Sequence, residues 1–174
     1  ALNAETGKPV WKFDPKASAP LWQRCRGVSY YEPAADAAAG SAPAVCAGRI
    51  VMTTIDARLI ELDAKTGQPC PDLGQGGTVD LKQGMGEVKP GFYFQTSAPT
   101  VMRDLIMIGG WVWDNVETGE PSGAVRAFSA RTGELVWAWD LGNPAITKLP
   151  PEGQSYTRGT PNVWSTPSYD DALG

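Results

Sequence analysis

The sequence predicts an all-β protein made of repeated four-stranded antiparallel sheets, on three observations. First, 20 Gly and 15 Pro among 174 residues disfavour long helices and favour many turns. Second, a Thr-Gly motif recurs with its glycines at Gly7, Gly67 and Gly133. Third, a small residue followed by proline and an apolar run recurs in step with it, at 42–43, 98–99 and 166–167. An internal repeat of this length indicates blades that close radially into a propeller.

Each repeat unit is predicted to run strand, turn, strand, turn, strand, Thr-Gly turn, strand. Residues 50–52 and 105–108 are short β-prone runs with turn residues on both sides. In the Thr-Gly turn, glycine supplies the positive φ of a tight hairpin, and Trp11 and Trp137 follow where a flat ring can dock on a neighbouring blade. Pro71 takes that position in the second repeat. Because proline cannot donate to a ladder, we expect a shortened outer strand there.

The repeats divide the chain into pieces of four blades, so we expect an internal fragment with about two full blades and parts of two others. The expected blade pieces are about 1–14, 41–74, 96–142 and 164–174. Connections rich in Gly, Pro and polar residues separate them at 15–40, 75–95 and 143–163. Because unstructured connections of this length are usually functional, we expect them to cap a ligand-binding face.

Composition excludes several kinds of chemistry. The net charge of −4 and the lack of a basic run argue against nucleic acid as a partner. The absence of histidine removes imidazole bases and histidine-bearing metal sites. Cys25, Cys46 and Cys70 are too far apart for Cys-x₂-Cys metal binding; they allow one disulfide, and three reduced thiols are equally compatible with the sequence.

Four motifs carry a resemblance to a known family. The Thr-Gly-x-x-Val-Trp repeat resembles the tryptophan-docking motif of the eight-bladed quinoprotein dehydrogenases, which use pyrroloquinoline quinone (PQQ). Three further segments resemble the membrane-bound glucose dehydrogenase branch: Cys-Arg-Gly-Val-Ser-Tyr at 25–30, Gly-Trp-Val-Trp-Asp-Asn at 110–115 and Thr-Pro-Asn-Val-Trp at 160–164. The fold class implied is therefore a fragment of an eight-bladed all-β propeller.

The resemblance implies an enzyme that oxidises the C1 hydroxyl of D-glucose to the lactone and passes electrons to ubiquinone. It also implies membrane helices upstream of Ala1 and a propeller on the periplasmic face of the bacterial inner membrane. Because the matching segments hold the cofactor and not the substrate, quinate or shikimate is an alternative substrate. A cofactor-free propeller that serves as an interaction scaffold, like the outer-membrane assembly lipoprotein with PQQ-type repeats, is the alternative of another class.

The resemblance assigns cofactor-binding roles to two residues. Trp164 matches the tryptophan beneath the PQQ ring, and an indole face suits a flat, electron-poor quinone. Arg26 matches an arginine near the cofactor, and a guanidinium is suited to bind the carboxylates that PQQ bears. The plainer alternatives are a core tryptophan and a solvated arginine.

The resemblance also assigns Asp114 and Asn115 to the cofactor and metal site. Carboxylate and carboxamide oxygens suit Ca²⁺ or Mg²⁺, although Asp-Asn is also an ordinary turn dipeptide. Two departures matter: the adjacent cysteine pair of related alcohol dehydrogenases is absent, and Trp22 stands where some relatives have histidine. The family's catalytic aspartate is expected beyond Gly174, so we expect the fragment alone to be inactive.

Overall fold

A computed structural model describes residues 1–22, 26–33 and 45–173, which contain ten β-strands and no α-helix. The strands pair antiparallel in two four-stranded sheets, ordered β1-β2-β3-β4 and β10-β9-β7-β6, and in a two-stranded sheet of β5 and β8. The predicted all-β blade architecture is confirmed. The strands are β1 (Ser29–Tyr31), β2 (Arg49–Thr53), β3 (Arg58–Asp63), β4 (Thr78–Asp80), β5 (Tyr93–Phe94), β6 (Thr100–Met102), β7 (Leu105–Ile108), β8 (Trp111–Val112), β9 (Val125–Ser129) and β10 (Leu135–Trp139).

The first four-stranded sheet begins earlier than the repeats predict. Its edge strand β1 pairs with β2, with Ser29 opposite Val51, so the predicted connection 15–40 contains a strand of the blade assigned to 41–74. Val28, Tyr30 and Tyr31 are β-prone, but Arg26 and Gly27 before them and Pro33 after them give the segment the composition of a loop. The predicted start at Ala42-Pro43 lies outside the described residues.

Two other predicted boundaries differ from the structure. The connection 75–95 contains β4 and β5: β3 is long enough to pair with the short β4, and β5 pairs with β8. The final piece, 164–174, is predicted as a strand, but residues 164–173 form none. In the described chain this piece is held by side chains: Thr100 Oγ1 donates to the Pro167 carbonyl at 3.2 Å, and Arg103 pairs with Asp171 at 2.7 Å.

The docking role predicted for Trp11 is confirmed at the junction between the first two blade pieces. Its Nε1 donates to the carbonyl of Ala64 at 3.1 Å. The ring lies directly over Gly67, where a Cβ atom would come within 2.5 Å of Trp11 Cε3. Gly67 also has φ +72, so the turn needs glycine for its backbone and for the ring that rests on it. No such contact is found for Trp137 in the described part of the chain, and its docking stays a prediction.

The next junction uses different contacts, because Pro71 replaces the docking tryptophan. The outer strand of this blade is reduced to a single bridge between Leu62 and Pro69, as predicted. The loop after it docks instead: Gly74 N donates to the Thr132 carbonyl at 2.8 Å, and Val79 packs where a Cβ on Gly133 would be.

A disulfide and a buried ion cluster anchor that loop. Cys46 and Cys70 are bonded, which decides among the pairings that the sequence left open. Arg49 pairs with Glu61 at 2.8 Å, also binds Asp72, and reaches the Ala130 carbonyl of the next blade. Glu61 is 0% exposed, and its burial raises the pKa of its carboxyl group to about 7.

Candidate cofactor-binding site

Strand β1, strand β6 and the stretch 164–168 meet at one edge of the two large sheets. The edge strands β1 and β6 pack beside each other, and the carbonyls of Trp164 and Pro167 accept hydrogen bonds from Ser97 and from Thr100 at the start of β6. The segment 93–100 connects them all, since it contains β5, continues through Gln95 to Pro99 and enters β6. Trp164 contacts this segment through its backbone, whereas Arg26, Asp114 and Asn115 lie one to three residues along the chain from residues that contact it.

Arg26 adjoins the segment through the residues that follow it. A Cβ on Gly27 would lie 3.3 Å from Ala98 Cβ, so this glycine permits close approach of the two backbones. Ser29 Oγ donates to the Pro99 carbonyl. The Arg26 side chain itself is exposed, and its guanidinium is therefore accessible to an anionic ligand.

Trp164 is held by its backbone while its ring stays open. Ser97 Oγ donates to its carbonyl oxygen. The residues before it pack tightly on two glycines: Cβ atoms on Gly109 and Gly123 would overlap the Val163 and Pro161 carbonyls. The side chain is 45% exposed. The side chain is therefore not a core residue in this structure, and its stacking role stays a prediction.

Asp114 and Asn115 adjoin the segment through β8, which pairs with β5 and places Trp111 opposite Phe94. Both residues are exposed at a bend, Asn115 has φ +61, and its Nδ2 donates to Asp114 Oδ1 at 3.1 Å. The pair therefore lies at an exposed bend, where a ligand can reach its oxygen atoms. In the described residues no group of three or more Cys, Asp or Glu gathers around a common point to hold a metal ion.

The structure thus brings three backbone segments together but not the three side chains. Within residues 1–22, 26–33 and 45–173, no hydrogen bond or ion pair links Arg26, Asp114 and Trp164 to one another. Their common neighbour is the 93–100 segment, and a ligand contacting all three would have to lie over it.

An aromatic pocket adjoins this region. The rings of Phe94 and Trp111 lie 4.7 Å apart, and those of Trp111 and Trp113 lie 6.4 Å apart. The pocket has a volume of about 430 Å³, and Trp22 at its rim is largely exposed. Such a surface suits a flat or ring-shaped ligand. It is lined by Pro20, Leu21, Trp22, Phe94, Trp111 and Trp113.

Sequence reasoning missed Gln95, a polar residue of the same segment. Its side chain is 6% exposed, and neither its amide nitrogen nor its amide oxygen has a hydrogen-bond partner in the described part of the chain. It lines a narrow cavity with Gly109 and Val163. A single glutamine forms no recognisable motif. The only signal of burial in the sequence is its place between the β-prone pair Tyr93-Phe94 and Pro99.

The fold defines the class of the protein: part of a β-propeller with four-stranded blades, in which Trp11 docks one blade piece on the next. The family model described as PQQ-type glucose/ethanol/alcohol dehydrogenase, β-propeller domain, matches residues 1–174. The chain therefore belongs to the β-propeller domain family of the PQQ-dependent dehydrogenases.

Curated relatives agree with this assignment. The chain is 38% identical to each of three proteins, with 99% of this chain aligned: quinate/shikimate dehydrogenase (quinone) of Acinetobacter baylyi, quinoprotein glucose dehydrogenase of Escherichia coli K12 and glycerol dehydrogenase large subunit of Gluconobacter thailandicus. These alignments cover 23%, 22% and 23% of the relatives, so the chain spans under a quarter of their length.

A solved structure supports the fold. The quinohemoprotein alcohol dehydrogenase ADHIIG of Pseudomonas putida HK5 superposes with a TM-score of 0.64 at 27% identity, over 99% of this chain and 24% of that one. No helix in the described residues is long and apolar enough to cross a membrane.

Proposed function

We propose that this chain is the part of a PQQ-dependent, quinone-linked dehydrogenase that holds one side of the cofactor. The observation that carries the proposal is the convergence of the Arg26, Asp114 and Trp164 segments on residues 93–100, in a chain of this family. When bound, PQQ supplies a quinone that accepts hydride from an alcohol carbon. The scaffold alternative gives no reason for an exposed indole and an exposed guanidinium on two segments that both contact residues 93–100.

Each site residue has a separate task in this proposal. The Trp164 indole stacks on the flat cofactor, and Ser97 fixes the indole by holding the backbone carbonyl of Trp164. The Arg26 guanidinium binds a cofactor carboxylate. Asp114 and Asn115 present oxygen atoms to a Ca²⁺ or Mg²⁺ ion. The cofactor and other parts of the protein would supply the remaining coordinating atoms. By the family pattern the proton acceptor lies beyond Gly174.

We propose D-glucose, oxidised at C1, as the first candidate substrate, with ubiquinone as the electron acceptor. Support for a ring-shaped substrate comes from the aromatic pocket, whose Trp111 and Trp113 rings offer a surface to the apolar face of a sugar. Attachment to the bacterial inner membrane through a segment outside this chain, with the propeller on the periplasmic side, completes this proposal.

Quinate or shikimate is the second candidate. Two relatives named for quinate, from Acinetobacter baylyi and Xanthomonas campestris pv. juglandis, are 38% and 41% identical to this chain. Quinate is also a ring, so the pocket suits it equally. Quinate carries a carboxylate, which requires a cationic group nearby, whereas glucose is uncharged. Oxidation rates with the two substrates therefore distinguish the candidates.

The test uses the full-length protein that contains this chain, loaded with PQQ and Mg²⁺ or Ca²⁺. Dye-linked oxidation is measured with glucose, quinate and glycerol in parallel, and PQQ binding is measured for the wild type and Trp164→Ala. We expect Trp164→Ala to weaken PQQ binding by about 10-fold or more, because it removes one aromatic stacking contact and the area buried by it. Trp139→Ala, at another half-exposed tryptophan, is the matched control. Unchanged PQQ binding in Trp164→Ala would refute the stacking role.

A further inference from the structure

The side chain of Gln95 is buried without hydrogen-bond partners, next to the backbone that holds Trp164. Its amide carries N–H donors and a carbonyl acceptor, and neither side is satisfied in the described residues. Buried polar groups are nearly always paired, because an unpaired group keeps the full cost of leaving water. The fold therefore places an amide at a destabilising position, and a bound ligand is one reason to retain it.

The location of Gln95 limits what that ligand can be. The cavity beside it has a volume of about 10 Å³, roughly enough for one water-sized group. Its walls include Ser97, whose hydroxyl group holds the Trp164 carbonyl, and Val163, the residue before that tryptophan. The cavity therefore lies beside the backbone on either side of Trp164, at Val163 and Ser165.

Two glycines that line the cavity are packed too tightly to carry a side chain. A Cβ on Gly110 would come within 2.5 Å of the Tyr93 ring, and one on Gly109 would overlap the Val163 carbonyl. Gly109 and Gly110 both line the cavity. Any larger side chain at these positions would displace the backbone that frames the Gln95 amide.

We propose that Gln95 is a cofactor-contacting residue, whose amide hydrogen-bonds an edge of the bound PQQ that presents a donor and an acceptor together. PQQ has ring nitrogens, carboxylates and carbonyl oxygens at its rim, so its chemistry matches both unpaired atoms of the amide. This inference rests on the proposed function, since it requires PQQ beside Trp164. In the apoprotein the unpaired Gln95 amide lowers the stability of the fold. Cofactor binding pairs the amide, and this gain adds to the affinity for PQQ.

The experiment compares Gln95→Met, which keeps the size of the side chain and removes both hydrogen-bonding groups, with Gln154→Met at an exposed glutamine. Full-length apoprotein is titrated with PQQ in the presence of Mg²⁺, and binding is followed by quenching of tryptophan fluorescence. Urea unfolding of the apoprotein is measured alongside. We expect Gln95→Met to weaken PQQ binding about 10-fold while leaving the apoprotein as stable as the wild type or more stable. Gln154→Met should change neither quantity.

The outcomes separate this proposal from the function on which it depends. A wild-type protein that does not bind PQQ contradicts the proposed function and this contact with it. Wild-type binding with an unchanged dissociation constant in Gln95→Met overturns the contact alone. Lower apoprotein stability with unchanged affinity would also overturn it, because the amide would then be paired with buried water in the free protein. Gln95→Glu, which has the same shape but repels anionic PQQ, gives a second measurement if Gln95→Met folds poorly, and unchanged affinity in Gln95→Glu overturns the contact equally.

Discussion

Replacing Gly67 with alanine tests whether tryptophan docking holds neighbouring blades together. Gly67 and Gly7 occupy the same place in two Thr-Gly turns, and their φ values are +72 and +66. They differ in surroundings: a Cβ on Gly7 would meet nothing within 4 Å, whereas one on Gly67 would lie 2.5 Å from the Trp11 ring. The pair therefore separates the cost of backbone strain from the cost of a blocked docking contact.

The expected magnitudes follow from that geometry. Alanine at either turn takes a left-handed conformation, which costs about 1–2 kcal/mol of unfolding free energy. At Gly67 the new methyl group also displaces the Trp11 ring, which adds about 1–3 kcal/mol for overpacking. Gly67→Ala should thus destabilise the full-length protein more than Gly7→Ala, as measured by urea unfolding.

A third variant isolates the ring itself. In a Trp11→Ala background the contact is already lost, so the further loss caused by Gly67→Ala should fall to that of Gly7→Ala. Equal losses for Gly7→Ala and Gly67→Ala in the wild-type background would refute the docking argument, because the ring would then contribute nothing at Gly67.

Two further predictions concern the junction after Cys70. Replacing Cys46 and Cys70 with serine should lower the free energy of unfolding by about 3 kcal/mol, because the disulfide joins residues 24 positions apart. Cys25→Ser is the control. Unfolding of the wild type and the double variant at the same urea concentration would contradict this prediction. Burial raises the pKa of Glu61 from 4.5 to about 7, so the folded state binds the proton more tightly, and stability should fall as pH rises from 4.5 to 7, by up to ~3 kcal/mol. Glu61→Gln should flatten that part of the pH profile, and a profile identical to the wild type would exclude Glu61 as its source.

Local chemistry explains why part of the fold could be predicted from the sequence. The Thr-Gly turn is specified by residues close in the chain: Asp63 Oδ1, for example, accepts from the backbone N–H groups of Lys65 and Thr66. Gly67 then fixes the conformation, and the Trp11 ring rests on it. The shortened strand at Pro71 follows equally from the missing N–H of proline.

Contacts between distant residues explain what the sequence did not reveal. The short β1 is stabilised as a strand by pairing with β2 about 20 residues away, not by a pattern of its own. Spacing could not select Cys46 and Cys70 as partners. Gln95 is buried by residues from three separate segments, so its isolation from water has no local signature. The predicted roles of Arg26, Asp114 and Trp164 remain predictions, supported by the shared neighbour.

The 93–100 segment also bears on how such a protein can diversify. Substitutions there would disturb the neighbours of all the proposed cofactor contacts together. The aromatic pocket draws three of its six lining residues from 20–22, a stretch that contributes nothing to the two large sheets. The half of the pocket formed by residues 20–22 can therefore change without altering a strand of either large sheet.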